Sequence, residues 1–443
     1  QNPEIEKRLE KYFVVDSQSE EEQDKLSVCQ GEHSVLQSEK IKNSWGNTIN
    51  IGVASELLRS EVQEHVMMLK QALGFKYIRF WNIFSPEFLI NVDDPKENYN
   101  FTRLDSIFDF LINLDLKPHI DFGVKSHMIV YNINKLQICD EREKDYLSID
   151  FMEPKKWERF LNAFMQHLIY RYGRSEVDSW RVEYWFNEGQ WKKSAFDQYF
   201  ELFDITYRTI KKYSEGMEVG GSGLRLDLDA KLREYFLKTW NEQHCRPDFI
   251  SIYIYNYERG KENDDRYAKR STDDDFFLHN VNSVKEQIAE AKMDDIKLYI
   301  TEWNFTASVR NYLNDSCFGG AYIIKNILDL YGQLDEVAHY LGTDRTQQYY
   351  DTNELLFGGA GILTKDGILK PSGFAFVSLY INVSTTSDGA FNDLCETQPS
   401  RTAASQTPKN ITSPRILSIL YFIFPLERLF ICLYPNHLSD VYK

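Results

Sequence analysis

This sequence predicts an α/β fold in which eight parallel strands close into a (β/α)8 TIM barrel, on three observations. Short β-like runs alternate with longer amphipathic helical stretches from residue 49 onward. About eight such runs fit into about 290 residues, most of them followed by a helix, and strands separated by helices pair in parallel. The first run is not followed by the glycine-rich phosphate turn that an open, doubly wound sheet would carry there.

The elements follow in order. Ile49-Asn50-Ile51-Gly52-Val53 reads as the first strand, and Ser60–Leu73 as a helix whose Val62, Val66, Leu69 and Leu73 share a face, stopped by Gly74. Tyr77–Trp81 is the second strand, 105–114 a helix and 117–122 the third strand. A helix over 155–172 stops at Gly173, and the fourth strand runs through 180–188. A helix at 196–213 precedes strands at 217–220 and Phe249–Tyr255, with Gly220-Gly221-Ser222-Gly223 read as a tight loop at the barrel mouth. A helix at 281–291, a strand at 297–302, a helix at 319–331 and a last strand at 336–341 complete the set. The organisation expected is a lead-in segment over 1–45, a barrel over 46–376 and an irregular tail over 377–443, the termini supplying at most an incomplete accessory β segment.

The composition narrows the function. The chain has 443 residues, 42% hydrophobic and 27% charged, as expected of a globular protein with a large core. A net charge of −16 argues against nucleic acid as the barrel's partner, because an acidic surface releases no counterions from it. The 8 Trp, 27 Tyr and 29 Phe are mostly core fillers, although rings beside polar strand ends also suit the C–H faces of sugars. The six cysteines are scattered without zinc spacing, which points to free thiols and a cytoplasmic location, with extracellular disulfides as the alternative. The nine histidines form no HExxH pair, and neither a metal nor an organic cofactor is expected. Residues 416–434 are apolar but interrupted by Pro425, Glu427 and Arg428, short of the roughly 20 residues of a membrane span. No signal peptide opens the chain, and the missing initiator Met suggests a processing boundary with a region upstream.

Two glutamates carry the chemistry. Glu188 ends Trp180-Arg181-Val182-Glu183-Tyr184-Trp185-Phe186-Asn187-Glu188, and Glu302 ends Lys297-Leu298-Tyr299-Ile300-Thr301-Glu302, followed by Trp303 and Asn304. In a barrel of this kind the reacting groups sit at the C-terminal ends of strands, and the fourth and seventh strands face each other across the axis. Two carboxylates so placed can break a glycosidic bond, one donating a proton to the leaving oxygen and the other attacking the sugar carbon or activating water. Either glutamate alone would read as a solvated strand end; the shared Asn and Trp neighbours favour the chemical reading. Trp81, Tyr255 and Trp303 are candidate sugar-facing rings, and Arg79 either orients Glu302 or forms a buried ion pair. His119 and Asp121 share a parity on the third strand, so they face the pocket or a polar barrel layer; Asp344 reads as a turn aspartate more than a substrate contact.

At these residues the chain resembles glycoside hydrolase family 39, the retaining β-xylosidase and α-L-iduronidase family. Its acid/base strand reads roughly W-x-F-E-x-W-N-E-P, similar to 180–189 here, and its nucleophile strand resembles Tyr299-Ile300-Thr301-Glu302-Trp303-Asn304. Supporting similarity includes Arg79, Asp248-Phe249-Ile250-Ser251, Phe357-Gly358-Gly359-Ala360-Gly361-Ile362-Leu363-Thr364 and Lys370-Pro371. The resemblance covers about residues 45–376. It implies that Glu302 is the nucleophile, Glu188 the acid/base, and Asn187 the partner of a sugar 2-hydroxyl, with Glu183 supportive. Two departures stand out. Phe186 is an extra residue between Trp185 and Asn187, and a one-residue slip in a strand reverses facing. Tyr253 replaces the His of the family's H-x-Y segment, while Tyr255 keeps the second ring, which implies changed specificity.

Some bacterial relatives join this barrel to an AraC-type DNA-binding regulator module, and the segment before Trp45 is similar to that junction. The leading expectation is therefore a retaining glycosidase acting on an oligosaccharide or glycoside; the alternative is a sugar-sensing barrel that binds without turnover. Residues 382–414, rich in Ser, Thr, Asn and Pro, read as disordered, and the tail lacks the alternation that would complete an accessory sandwich. Neither the sugar nor the oligomeric state is legible.

Overall fold

The computed structural model describes residues 44–91, 94, 96–123, 153–186, 193–226, 230–258, 269–346 and 353–386. Eight strands form one closed barrel: β1 Thr48–Val53, β2 Tyr77–Trp81, β3 Lys117–Asp121, β4 Arg181–Trp185, β5 Glu218–Arg225, β6 Phe249–Tyr255, β7 Lys297–Asn304 and β8 Glu336–His339. Each pairs in parallel with its sequence neighbours, and β8 closes on β1. Among the described residues, eight helices of twelve residues or more accompany them: α1 Ser60–Leu73, α2 Thr102–Asn113, α3 Pro154–Tyr172, α4 Lys193–Tyr213, α5 Ala230–Asn241, α6 Phe276–Glu290, α7 Cys317–Asp329 and α8 Pro371–Thr386. The expected (β/α)8 barrel is the observed one.

Two layers of burial explain the elements. Outward strand residues such as Ile49, Ile78, Ile120, Val182 and Ile250 meet the apolar faces of the helices in one core. On α1 the buried side chains include Val62, Val66, Leu69 and Leu73, and Gly74 ends the helix in the left-handed region at φ 65°. The inward residues are largely polar, and the base of the barrel is an ionic cluster. Arg181 reaches Glu336 at 2.5 Å and Glu218 at 2.8 Å, and Thr48 donates to Glu336 at 2.5 Å. The guanidinium also lies 3.7 Å from the centre of the Tyr77 ring. Burial opposes the charge on Arg181, but Glu336, then Tyr299, Tyr77 and Glu218, outweigh it and raise its pKa.

The structure departs from the sequence reading in three places. Gly220-Gly221-Ser222-Gly223 is not a loop but lies inside β5. Its glycines are there for space: a Cβ on Gly223, at φ +65°, would fall 2.4 Å from the Trp185 ring, and one on Gly220 would fall 2.4 Å from the Phe249 carbonyl. Between β5 and β6 stands α5, which buries Arg233, Phe236, Leu237 and Trp240. After β8 comes α8, beginning at Pro371 and crossing the expected barrel boundary at 376. The lead-in over 1–43 and the tail beyond 386, with the termini's expected β segment, fall outside the described residues.

A second buried ionic cluster ties the segments that follow β7 and β8 to the start of α8. Lys370 reaches Asp315 at 2.6 Å and Asp344 at 2.5 Å and donates to the Gly359 carbonyl at 2.9 Å. Asp344 is a buried ion-pair partner that also accepts from the Gly361 amide at 2.8 Å. Burial pushes its carboxyl up to about 6; Lys370 and the Gly361 amide pull it down, and Asp315 adds to the rise.

Two outcomes are expected. Arg181→Met leaves the Glu336 carboxylate buried without its cation and costs about 3–5 kcal/mol, read as the shift of a urea unfolding midpoint. Asp344 has its folded pKa above the unfolded 3.8, so its protonated form stabilises the fold at low pH and that contribution is lost as pH rises through about 6. The stability of wild type relative to Asp344→Asn therefore falls by about 2 kcal/mol between about pH 4 and about pH 7; urea midpoints measured at both pH values check this.

Candidate active site

Strand alternation decides what faces the barrel axis. On β2, Tyr77, Arg79 and Trp81 point inward; on β3, His119 and Asp121; on β4, Arg181, Glu183 and Trp185. Arg79 is wholly buried at the centre of the layer below the mouth. Its Nε donates to Glu183 at 2.7 Å, its Nη2 to Asp121 at 2.6 Å and its Nη1 to Asn50 at 3.0 Å. Nη1 also lies 3.6 Å from Glu302 Oε2. Burial disfavours the Arg79 charge, but Glu183, Asp121 and Glu302 reverse that and raise its pKa. Burial by itself would raise Glu183; Arg79, with help from His119 and Ser251, instead holds it below the usual carboxylate range. His119 is pushed down by burial, against the pull of Glu183, and is therefore a neutral member of the polar layer.

Glu302, on β7, is 6% exposed, so it sits at the edge of this layer and not in bulk water. Its Oε1 accepts a 2.5 Å hydrogen bond from the Tyr255 hydroxyl of β6. Four rings frame the same end of the barrel. Trp81 and Trp185 lie 5.6 and 5.1 Å from the Arg79 guanidinium, Trp185 stacks on Tyr253 at 5.1 Å, and Tyr340 stacks on Trp81 at 6.2 Å. Tyr340 also meets the Tyr255 ring edge-on at 5.9 Å.

The position of Glu302 depends on an irregularity in β7. Toward β6 the register steps from Ile252↔Ile300 to Tyr253↔Glu302, and toward β8 from Val337↔Ile300 to His339↔Trp303. Both neighbours therefore see one extra residue in β7, a β-bulge at Thr301–Glu302. Thr301 donates to the buried Glu183 at 3.1 Å, while the next residue, Glu302, reaches Arg79 and Tyr255. Two consecutive side chains thus turn inward.

Among the sequence-predicted residues, Arg79, Trp81, Tyr253, Tyr255 and Glu302 come together. Trp303 does not. Past the bulge, alternation resumes and turns its ring outward between Phe277 of α6, Tyr322 of α7 and His339, so the expectation of a sugar-facing ring there is corrected to a core residue. Asn187 and Glu188 lie outside the described residues. The strand that leads to them is described as far as Phe186, where alternation holds without a slip. Trp185 faces inward, and Phe186 packs outward against Phe196, Tyr199 and Phe236 while its amide donates to the Ser222 carbonyl at 2.7 Å.

Sequence reasoning missed Trp185, although it shares the parity of Arg181 and Glu183, and Tyr340, whose position just past β8 was the available signal. Asn50 was also missed; its amide donates to the carbonyls of Thr301 at 2.9 Å and His339 at 3.0 Å, pinning β7 and β8 beside the site. Among the described residues no group of His, Cys, Asp and Glu could hold a metal, and no helix is long and apolar enough to cross a membrane.

A barrel end framed by rings around a buried cation and a hydrogen-bonded carboxylate is suited to a polar, ring-shaped ligand. The chain is similar to a beta-xylosidase of Geobacillus stearothermophilus, 26% identical over 353 residues, covering 76% of this chain and 68% of that protein. It is 27% identical over 352 residues to a beta-xylosidase of Caldicellulosiruptor saccharolyticus, with the same coverages of 76% and 68%. Among solved structures, a monomeric beta-xylosidase from Caulobacter crescentus superposes with a TM-score of 0.65 at 25% identity, covering 77% of this chain and 69% of that one. The model of glycosyl hydrolases family 39 matches residues 33–382, most of the chain, and the protein belongs to that family of glycosidases.

Proposed function

We propose that this glycosidase cleaves β-xylosides with retention, by a double displacement in which Glu302 is the nucleophile and Glu188 the acid/base. The observation that carries the reading is the Glu302 carboxylate itself. Tyr255 fixes one oxygen, Arg79 lies by the other, and the rings of Trp81, Trp185, Tyr253 and Tyr340 surround that end of the barrel. The beta-xylosidase names of the similar proteins support xylose as the sugar.

In this mechanism a Glu302 oxygen attacks the anomeric carbon as the glycosidic bond breaks, and Glu188 gives its proton to the departing oxygen. Water then attacks the glycosyl-enzyme, returning its proton to Glu188 and releasing Glu302. Retention calls for carboxyl groups about 5 Å apart. Asn187, next to the acid/base, would hydrogen-bond the 2-hydroxyl, where such contacts strengthen in the transition state. Arg79 and Tyr255 arrange the nucleophile without reacting: the Tyr255 hydrogen bond holds one oxygen and the Arg79 charge faces the other before substrate arrives, so little reorganisation is needed at the moment of attack.

Wild-type protein is expected to hydrolyse aryl β-xylosides with the β-anomer as first product, seen by NMR. Glu302→Ala should lower turnover at least about a thousandfold, with azide restoring product as the α-xylosyl azide. Binding of xylosides with no turnover across a broad aryl-glycoside panel would overturn this reading in favour of a sugar-sensing barrel. Tyr255→Phe removes one oriented donor and should reduce kcat by about ten- to a hundredfold with a smaller change in KM.

A further inference from the structure

We infer that Lys370, locked between Asp315 and Asp344, is a positioning residue that sets the Glu302 side of the site from behind. The inference rests on the proposed role of Glu302 and adds to it a part of the chain distant from Glu302 in sequence.

The ammonium of Lys370 pairs with two carboxylates, Asp315 at 2.6 Å and Asp344 at 2.5 Å, and donates a hydrogen bond to the Gly359 carbonyl at 2.9 Å. The lysine is 1% exposed, so none of this geometry is averaged by water. From Asp315 the contacts run toward the site in short steps. Its other oxygen accepts from the Gly358 amide at 2.6 Å, and the Gly358 carbonyl accepts from the Asn314 side-chain amide at 2.8 Å. Asn304, at the end of β7, donates to Asn314 at 3.5 Å and to the Tyr340 carbonyl at 3.0 Å. The Tyr340 ring then meets Tyr255 edge-on, and Tyr255 holds Glu302.

From Asp344 the second branch fixes the same segment. Asp344 accepts from Gly361, while the Leu341 amide donates to the Ala360 carbonyl at 3.1 Å and the Ile362 amide returns to the Leu341 carbonyl at 3.1 Å. Space enforces this: a Cβ on Gly359 would lie 2.3 Å from the Asp344 carboxylate, and one on Gly361 would lie 2.2 Å from its amide. Two branches from one ammonium therefore converge on Tyr340. Such an arrangement does more than add stability, because two loops bordering the nucleophile share one cation and cannot shift independently.

The test compares Lys370→Met, which keeps length and removes the charge, with Asn314→Ala, which cuts the relay but leaves the ionic cluster intact. On 4-nitrophenyl β-D-xyloside both should lose kcat by about ten- to a hundredfold, the loss expected of a small misplacement, with KM within about threefold. The triple variant Lys370→Met/Asp315→Asn/Asp344→Asn removes the uncompensated charges, so its unfolding midpoint should recover relative to Lys370→Met while kcat stays low. Wild-type kcat in Asn314→Ala, or recovery of kcat together with stability in the triple variant, would overturn the inference and leave the cluster structural. Failure of the wild-type enzyme itself on xylosides would instead refute the proposed function, and this positioning role with it.

Discussion

The interior of this barrel depends on one guanidinium. Arg79 lies where apolar side chains fill many barrels, and it is kept charged by Glu183, Asp121 and Glu302 against the cost of leaving water. Lysine would not replace it, because its compact ammonium lacks the planar fork whose Nε, Nη1 and Nη2 reach Glu183, Asn50 and Asp121 from separate atoms while the guanidinium plane lies against Trp81 and Trp185. Asn50, Asp121, Glu183, Glu302, Trp81 and Trp185 all meet this group. Asp121 and Glu183 are carboxylates that serve the cation, and Glu302 is the one that approaches it from the mouth at a longer 3.6 Å. That difference sets Glu302 apart from the two acids bonded directly to the guanidinium.

A second cation, Arg181, repeats the arrangement one layer down with Glu218 and Glu336. Both layers place one strong base among acids contributed by strands across the barrel, so each ties distant strands together through directional bonds. A polar interior of this type constrains register more tightly than methyl groups would, because an unpaired buried charge is expensive. The neutral His119, between these layers, adds a partner for Glu183 without adding a third positive charge.

Most of the architecture was legible because it depends on periodicity. The α1 face from Val62 to Leu73 and the inward parity of Arg79 and Trp81 follow from 3.6- and 2-residue repeats. What escaped was set by contacts distant in sequence. The glycines of β5 look like a turn until the Trp185 and Phe249 groups they accommodate are known. In α5 a charged residue, Arg233, occupies a buried position and blurs the apolar stripe, and α8 begins with the proline that the resemblance had already singled out. Lys370, Asp315 and Asp344 have no local signature, since nothing in the chain announces that residues 26 to 55 positions apart will share one charge. Trp303 was misplaced for a different reason: it stands beside Glu302, and neighbours in a regular strand face opposite ways.

The bulge in β7 shows why that rule had to fail at this point of the strand. A regular strand with Tyr299 inward would also send Thr301 inward and Glu302 outward, to where Trp303 now meets Phe277 and Tyr322. With one additional residue opposite β6 and β8, Thr301 keeps its bond to Glu183 and Glu302 gains its place beside Arg79 and Tyr255. The same strand thereby serves the supporting layer and the mouth with adjacent residues. Asn50 helps hold the irregular segment, because its amide donates to the Thr301 carbonyl while its oxygen accepts from Arg79. The cation that fixes the supporting acids thus also braces the backbone that turns Glu302 inward, and these two requirements on the site reduce to one packing solution around Arg79.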